Sequence, residues 1–375
     1  MGTNRGQKTA VGLMSGTSLD GIDVALMTTD GERIAAFGPS GYRPYSDAER
    51  GVLRHALTEA VTLNDRHVRP GILAEAEKLV TALHGEAVEN FLAHNRIDRT
   101  SVDVVGFHGQ TVLHRPKAGL TVQIGDAAAL ARRLRIAVVS DFRGADVAAG
   151  GQGAPLVPIF HQALAATIDR PRPIAVLNIG GVANVSFVDG ATAPVACDTG
   201  PGNALIDDFM RAHTGRTFDD GGITASRGSV DHGFVERVLS DPFFAAPPPK
   251  SLDRNAFAFA RLAMPDGSVP DGAATLAALT AAAVARVVPH LPEIPQSWIV
   301  GGGGARNRTL MRMLAEALAP ASVETADGVG WSADALEAQA FAYLAVRTLY
   351  RLPITFPTTT GVPAATIGGV VLEPD

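Results

Sequence analysis

Cysteine is almost missing. Cys197 is the one thiol in 375 residues, so no intrachain disulfide can form and no cysteine cage for a metal is available. A basic excess is missing too: 32 Lys and Arg stand against 38 Asp and Glu, for a net charge of −6. That balance leaves no electropositive footprint for nucleic acid or an anionic membrane, though a local pocket for a small anion remains compatible with it. Long apolar runs are also lacking. The richest, "DGAATLAALTAAAVARVVPH", meets Arg286 and Pro289 before it approaches the ~18 apolar residues of a membrane span, and it reads as a packed helix. The first ten residues are polar and nothing there resembles a signal peptide, so a cytoplasmic protein is the simplest expectation.

Glycine, by contrast, is plentiful and clustered. "VGLMSGTSLDGIDVALM" (residues 11–27) sets Ser-Gly-Thr-Ser and two aspartates between β-prone runs, a hairpin signal. Helical periodicity follows in "DAERGVLRHALTEA" and "ILAEAEKLVTALHGEAVENFLAHN". "VDVVGFHG" reads as a short strand entering a loop, and "RGADVAAGGQGAPLVPIFHQAL" as a glycine-rich loop that ends in a helix. The proline-rich piece Asp169–Pro173 is the best linker. After it, "IAVLNIGGVANVSFV" repeats the strand–glycine turn–strand design, which predicts two related α/β halves. The expected division is residues 1–170 and 171–352, with 353–375 packing back on the first half.

Backbone N–H groups in glycine turns and at helix N-termini bind anions. Four such loops leave β-prone runs: Ser15–Gly21, Gly180–Gly181, Asp198–Asn203 and Gly301–Gly304. The first is no Walker loop, since the lysine is absent and a strand follows. "GGGGAR" has two glycines of a dinucleotide fingerprint, but Arg306 occupies the third position; with Glu324 at ribose distance, that reading stays a weak alternative. Gly16, Thr17 and Ser18 can donate to phosphate oxygens, while Asp20, Asp23 and Asp198 are candidates for a hydrated magnesium ion. The plain alternative is that Asp20-Gly21 is a hairpin turn with positive φ.

A hairpin phosphate loop, a second glycine loop and a late glycine run before a helix form the plan of the actin/hexokinase ATPase superfamily. Within it the chain closely resembles the anhydro-N-acetylmuramic acid kinase family. The matching stretches are "GLMSGTSLDGIDVAL", "GFHGQTVLHRP", "TVQIGDAAALA", "DFRGADVAAGGQGAPLVP", "NIGGVANVSF", "DTGPGNALID", "GGGGARNRTLM" and "EAQAFAYLA", in order along nearly the whole chain. Single motifs are weak; eight in order are specific.

The resemblance implies two actin/hexokinase-like (ribonuclease H-like) α/β domains with an active site in the interdomain cleft. It implies ATP-dependent opening of the 1,6-anhydro ring of anhydro-N-acetylmuramic acid and phosphorylation of O6, with magnesium, in a homodimer. The family's ATP segment carries over to Gly16, Thr17, Ser18, Leu19, Asp20, Gly21, Ile22 and Asp23, and its catalytic aspartate to Asp146. Gly180, Gly181, Asp198, Gly200, Gly202 and Asn203 would face the phosphates, and Gly302, Gly303 and Gly304 the adenosine. Asp20 and Asp198 would serve the metal. His108, Gln110, Thr111 and Gln152 are candidates for sugar hydroxyls, although a loop histidine satisfied by its neighbours is the simpler reading of His108 and His114. One departure stands out: where the family pattern resembles "PKSTGRE", this chain has "PKSLDRNAF" from Pro249, with Leu252-Asp253 for Thr-Gly and Arg254 retained. Cys197 reads as a small buried hydrophobe. A catalytically silent sugar or nucleotide sensor on the same fold is the main rival reading; a hydrolase of phosphate chains is a further one.

Overall fold

The computed structural model describes residues 5–252, 257 and 267–374. Asp253 and Arg254 of the departing loop lie outside the described residues. The chain divides into two compact units, residues 1–167 with 334–375, and residues 168–333.

In the first unit the opening stretch forms β1 (Lys8–Ser15) and β2 (Gly21–Thr29), followed by β3 (Ile34–Pro44), β4 (Val104–Arg115), β5 (Leu120–Ile124) and β6 (Ala137–Ser140). The strand order is β12-β6-β4-β1-β2-β3, with β12 (Val370–Leu372) antiparallel on β6 and β5 on β4. β1, β2 and β3 are antiparallel, whereas β4 and β6 run parallel to β1. Helix α1 (Asp47–Ala60) starts at a Ser46–Glu49 capping box, which satisfies two N-terminal donors. On α2 (Ile72–His94), Leu73, Ala76, Val80, Leu83, Ala87 and Phe91 recur every three or four residues and are buried. That face closes the core with Leu13, Val24, Val105 and Leu130.

The second unit repeats the plan. β7 (Ile174–Ile179), β8 (Val182–Val188) and β9 (Val195–Pro201) are antiparallel; β10 (Ser297–Gly301) and β11 (Ser322–Thr325) run parallel to β7. Its order, β11-β10-β7-β8-β9, matches β6-β4-β1-β2-β3 strand for strand. The two hairpins therefore open two copies of one α/β topology. The apolar run forms a helix, Val269–Val287, long and apolar enough with its extension to His290 to cross a membrane by composition. Here Ala273, Leu276, Ala277 and Leu279 are packed in a core with Phe209, Phe234 and Val238.

The boundary differs from the sequence expectation at the C-terminal side. Helix Leu336–Leu349 belongs to the first unit, not the second. Gly12 and Gly106 explain why: a Cβ on either would collide with the backbone of Ala338 or Phe341. Two missing side chains let the helix lie directly on β1 and β4, a contact no hydrophobic pattern reveals.

Candidate active site

The turn after β1 is built differently from the Asp-Gly turn that composition suggests. Leu19 N donates to Gly16 O at 3.2 Å, and the residue with positive φ is Leu19, at 59°. A bulky side chain in the left-handed region is uncommon and costs about 1–3 kcal/mol. Burial of Leu19 in the core compensates. It leaves Thr17, Ser18 and Asp20 exposed, with the Thr17 and Ser18 hydroxyls at the tip. Behind the turn, the Ser15 hydroxyl donates to Gln110 Oε1 at 2.6 Å, and Gln110 Nε2 donates to Gly16 O at 3.2 Å. Gln110 is fully buried. Both ends of its amide thus brace the turn.

Carboxylates gather beside this turn. Burial pushes the Asp23 carboxyl up to about 6, and the charges of Glu337, Asp334 and Asp20 add to the rise. Burial likewise raises Glu337, while Arg143 opposes it. Such a concentration of negative charge is relieved by a cation. Among the described residues no group of three or more His, Cys, Asp or Glu is placed to hold a metal directly. Carboxylate oxygens are the donor chemistry that a hard divalent cation takes.

Asp146 lies on a short helix, Gly144–Ala148, rather than in an open loop, and is 1% exposed. Its Oδ2 accepts the Gly153 N–H at 2.6 Å and its Oδ1 the Thr360 hydroxyl at 2.6 Å. Gly151 sits so close that a Cβ there would strike the carboxylate. Arg143, one turn earlier, donates to Gly153 O at 2.7 Å and to His108 Nε2 at 3.0 Å. Burial lowers Arg143 to about 10, against the pull of Glu337 and Asp146, so it stays charged at neutral pH. His108 is on β4, not in a loop. Burial first, and the Arg143 charge second, hold it well below the ordinary histidine range. The neutral ring accepts from Arg143 through Nε2, which assigns the proton to Nδ1, 2.8 Å from Gly109 O. Thr111 accepts from Gln123 Nε2 at 3.2 Å, and Gln152 donates its backbone N–H to Thr360 O at 2.8 Å.

In the second unit the two glycine loops interlock. Gly202 N and Ala204 N donate to Gly181 O, and Asn203 N to Gly180 O at 2.7 Å. These donors open helix Asn203–Thr214 but are committed to carbonyls here, where free anion donors were expected. "CDTGPG" is also strand through Pro201 rather than loop. Gly200 is packed against Ala283 and Phe244. Asp198 N donates to Lys250 O at 2.9 Å, and Asp198 Oδ2 accepts Leu252 N at 2.7 Å. Burial raises Asp198 to about 6, opposed by Leu252 N–H and the Lys250 charge.

The late glycine run separates by role. Gly302 has φ 75° and Gly304 packs on Ile179, whereas Gly303 has room beside Asn203. Gly303 and Asn203 border a cavity of about 360 Å³ whose walls include Ile206, Phe218, Asp219 and Arg306. The Asp219 carboxylate is spent on the N–H groups of Thr224 and Ala225, which fixes the turn beside Phe218. Phe218 is 54% exposed, and its ring offers an apolar face to a flat ring. Sequence reasoning missed Phe218, Arg143, Glu337 and Thr360. Arg143 and Glu337 lay inside recognised stretches as unassigned charges; Phe218 and Thr360 carried no signal.

Residues 8–374 match the family model described as anhydro-N-acetylmuramic acid kinase. An anhydro-N-acetylmuramic acid kinase of Rhodopseudomonas palustris is 63% identical over 366 residues, spanning 98% of this chain and 100% of the relative. One from Nitrobacter winogradskyi is 61% identical with the same coverage of both. One from Methylorubrum extorquens is 58% identical over 379 residues, covering 98% of this chain and 99% of the relative.

Proposed function

We propose a division of labour for a chain that belongs to the anhydro-N-acetylmuramic acid kinase family. It is a sugar kinase that consumes ATP, opens the 1,6-anhydro ring and phosphorylates O6, giving N-acetylmuramic acid 6-phosphate and ADP in cell-wall sugar recycling. Water adds at C1, the C1–O6 bond breaks, and O6 takes the γ-phosphoryl group. Asp146 takes the proton from that water. The observation that carries this assignment is a buried carboxylate held at both oxygens, by Gly153 N–H and Thr360 hydroxyl. Its geometry is fixed before substrate arrives.

The exposed Thr17 and Ser18, with the backbone of Gly16 to Asp23, serve the triphosphate. The cavity bordered by Asn203 and Gly303 takes adenosine, with its base on Phe218. Gly180, Gly181, Gly200 and Gly202 shape the second phosphate turn, and Gly302 and Gly304 set the path of the third. Asp20 would hold magnesium through its waters, where the ion neutralises charge on the phosphoryl oxygens; on the second unit Asp198 is the alternative candidate for that role. Thr111 and Gln152 face the sugar, with His108 and Gln110 supporting them from behind. A homodimer in the cytoplasm belongs to the same proposal and rests on family membership. Light scattering during gel filtration checks the dimer. Incubation with ATP, magnesium and anhydro-N-acetylmuramic acid, followed by mass spectrometry, tests the reaction. A product heavier than substrate by one water and one phosphoryl group supports it. Binding of both ligands without turnover would favour the silent sensor.

A further inference from the structure

We infer that Thr360 is a positioning residue for Asp146, an inference that rests on Asp146 being the base. The two residues are 214 positions apart, yet the Thr360 hydroxyl donates to Asp146 Oδ1 at 2.6 Å. Both are buried, at 0% and 1% exposure. The contact belongs to a closed ring of bonds. Gly153 N–H holds the other carboxylate oxygen, and the next residue back, Gln152, donates its N–H to the Thr360 carbonyl at 2.8 Å. One residue therefore grips both the carboxylate and the loop that carries its second donor.

The support for Thr360 is itself rigid. Pro357–Thr360 is a single helical turn that ends at Gly361, with φ 73°. Phe356 N–H donates to the Thr359 hydroxyl at 3.0 Å, and Thr355 and Thr366 pair as an antiparallel bridge.

A carboxylate fixed at one oxygen still turns about its Cβ–Cγ bond; fixed at both, its plane is set. The lone pair left over on each oxygen then keeps a fixed direction, which is what a base aimed at one water requires. Thr360 does this without touching a reacting atom.

Thr360→Val keeps the shape and removes the hydroxyl; Thr360→Ser keeps the hydroxyl and removes the methyl. The proposal expects the Val variant to lose kcat by about 10–100-fold, with KM for ATP within about twofold. The Ser variant should stay within about threefold of the parent. Packing alone would give the opposite order, and that order, or a Val variant of normal kcat, overturns the inference. If the Val variant does not fold, Thr360→Ala against Thr360→Ser supplies the same contrast. Asp146→Asn separates the two layers. In that background Thr360→Val should change residual turnover by no more than about twofold, because its effect passes through the carboxylate. A further tenfold loss would place Thr360 elsewhere and overturn the inference while leaving the base reading intact. A fully active Asp146→Asn protein overturns the base reading and this inference with it.

Discussion

The backbone N–H of Leu252 donates to Asp198 Oδ2 at 2.7 Å, while Asp198 N–H donates to Lys250 O at 2.9 Å. Two bonds thus pin the start of the departing loop to the edge of β9. The carboxylate responsible is raised by burial to about 6, above the ordinary value near ~4. Between those pH values the folded protein holds more protons than the unfolded chain, so this group's contribution makes stability fall as pH rises from about 4 to 6. Asp198→Asn removes that cost and keeps an acceptor for Leu252. Melting temperature should rise by about 2–4 °C at pH 7.5, with most of that gain gone at pH 4.5. Asp198→Ala should instead speed hydrogen exchange at Leu252. A temperature difference independent of pH would contradict the assignment.

Asp23 gives a second pH prediction with a different readout. Its carboxyl sits at about 6 because of burial, then Glu337, Asp334 and Asp20. If the ionised group attracts magnesium-nucleotide, affinity for a non-hydrolysable ATP analogue with magnesium should weaken as pH falls through about 6. Glu337→Gln removes a like charge, so the weakening should move to lower pH. Asp20→Asn should raise the magnesium concentration needed for half-maximal affinity. Calorimetric titration at several pH values reads all three effects, and a flat profile in the parent would remove Asp23 from the site.

How much of this was legible beforehand depended on the kind of signal. The hairpins, the helices and the repeated half followed from periodicity and glycine turns, because those are local. Helix Leu336–Leu349 was legible as a helix but not as part of the first unit, since its docking depends on missing side chains at Gly12 and Gly106. Asp146 was singled out by the family resemblance. Its partner Thr360 was not, because a hydroxyl in "TTTG" has no pattern that points across 214 positions. The free donors expected at Gly202 and Asn203 were misjudged for a similar reason: local geometry leaves them open, and tertiary pairing with Gly180 and Gly181 closes them.

The glycines of "GGGG" should separate under substitution. A Cβ on Gly303 meets only Asn203 Nδ2 at 3.4 Å, while one on Gly304 runs into Ile179. Gly303→Val should therefore fold, with a melting temperature within about 2 °C of the parent. Its side chain then occupies the cavity proposed for adenosine, and KM for ATP should rise about tenfold, the equivalent of ~1.4 kcal/mol. Gly304→Val should destabilise the second unit by about 1–3 kcal/mol through overpacking. Thermal melts beside ATP titrations check both, and equal loss of stability in the two variants would return Gly303 to an ordinary tight turn.

Asp146→Asn bears on the mechanism most directly. Asparagine has the same shape, and its oxygen can still accept one of the two donors that hold the carboxylate. The Thr360 hydroxyl can reverse to accept from the amide nitrogen, so Gly153 keeps its acceptor. Folding and ATP affinity should therefore be nearly unchanged. Proton removal from water is another matter, because a neutral amide cannot serve as the base. A positioned base contributes ~10²–10⁴-fold, and turnover should fall by at least that range. Glycoside cleavage by water ordinarily pairs one carboxylate with an acid that protonates the leaving oxygen. Here O6 is captured by the γ-phosphoryl group, so one carboxylate suffices and no second group rescues the variant. A purely structural aspartate that orders the Gly150–Gly153 loop would be replaced by asparagine with little loss. The decisive comparison is product formation by a variant shown to fold and to bind ATP: turnover within about tenfold of the parent would leave Asp146 a structural residue and move the base elsewhere.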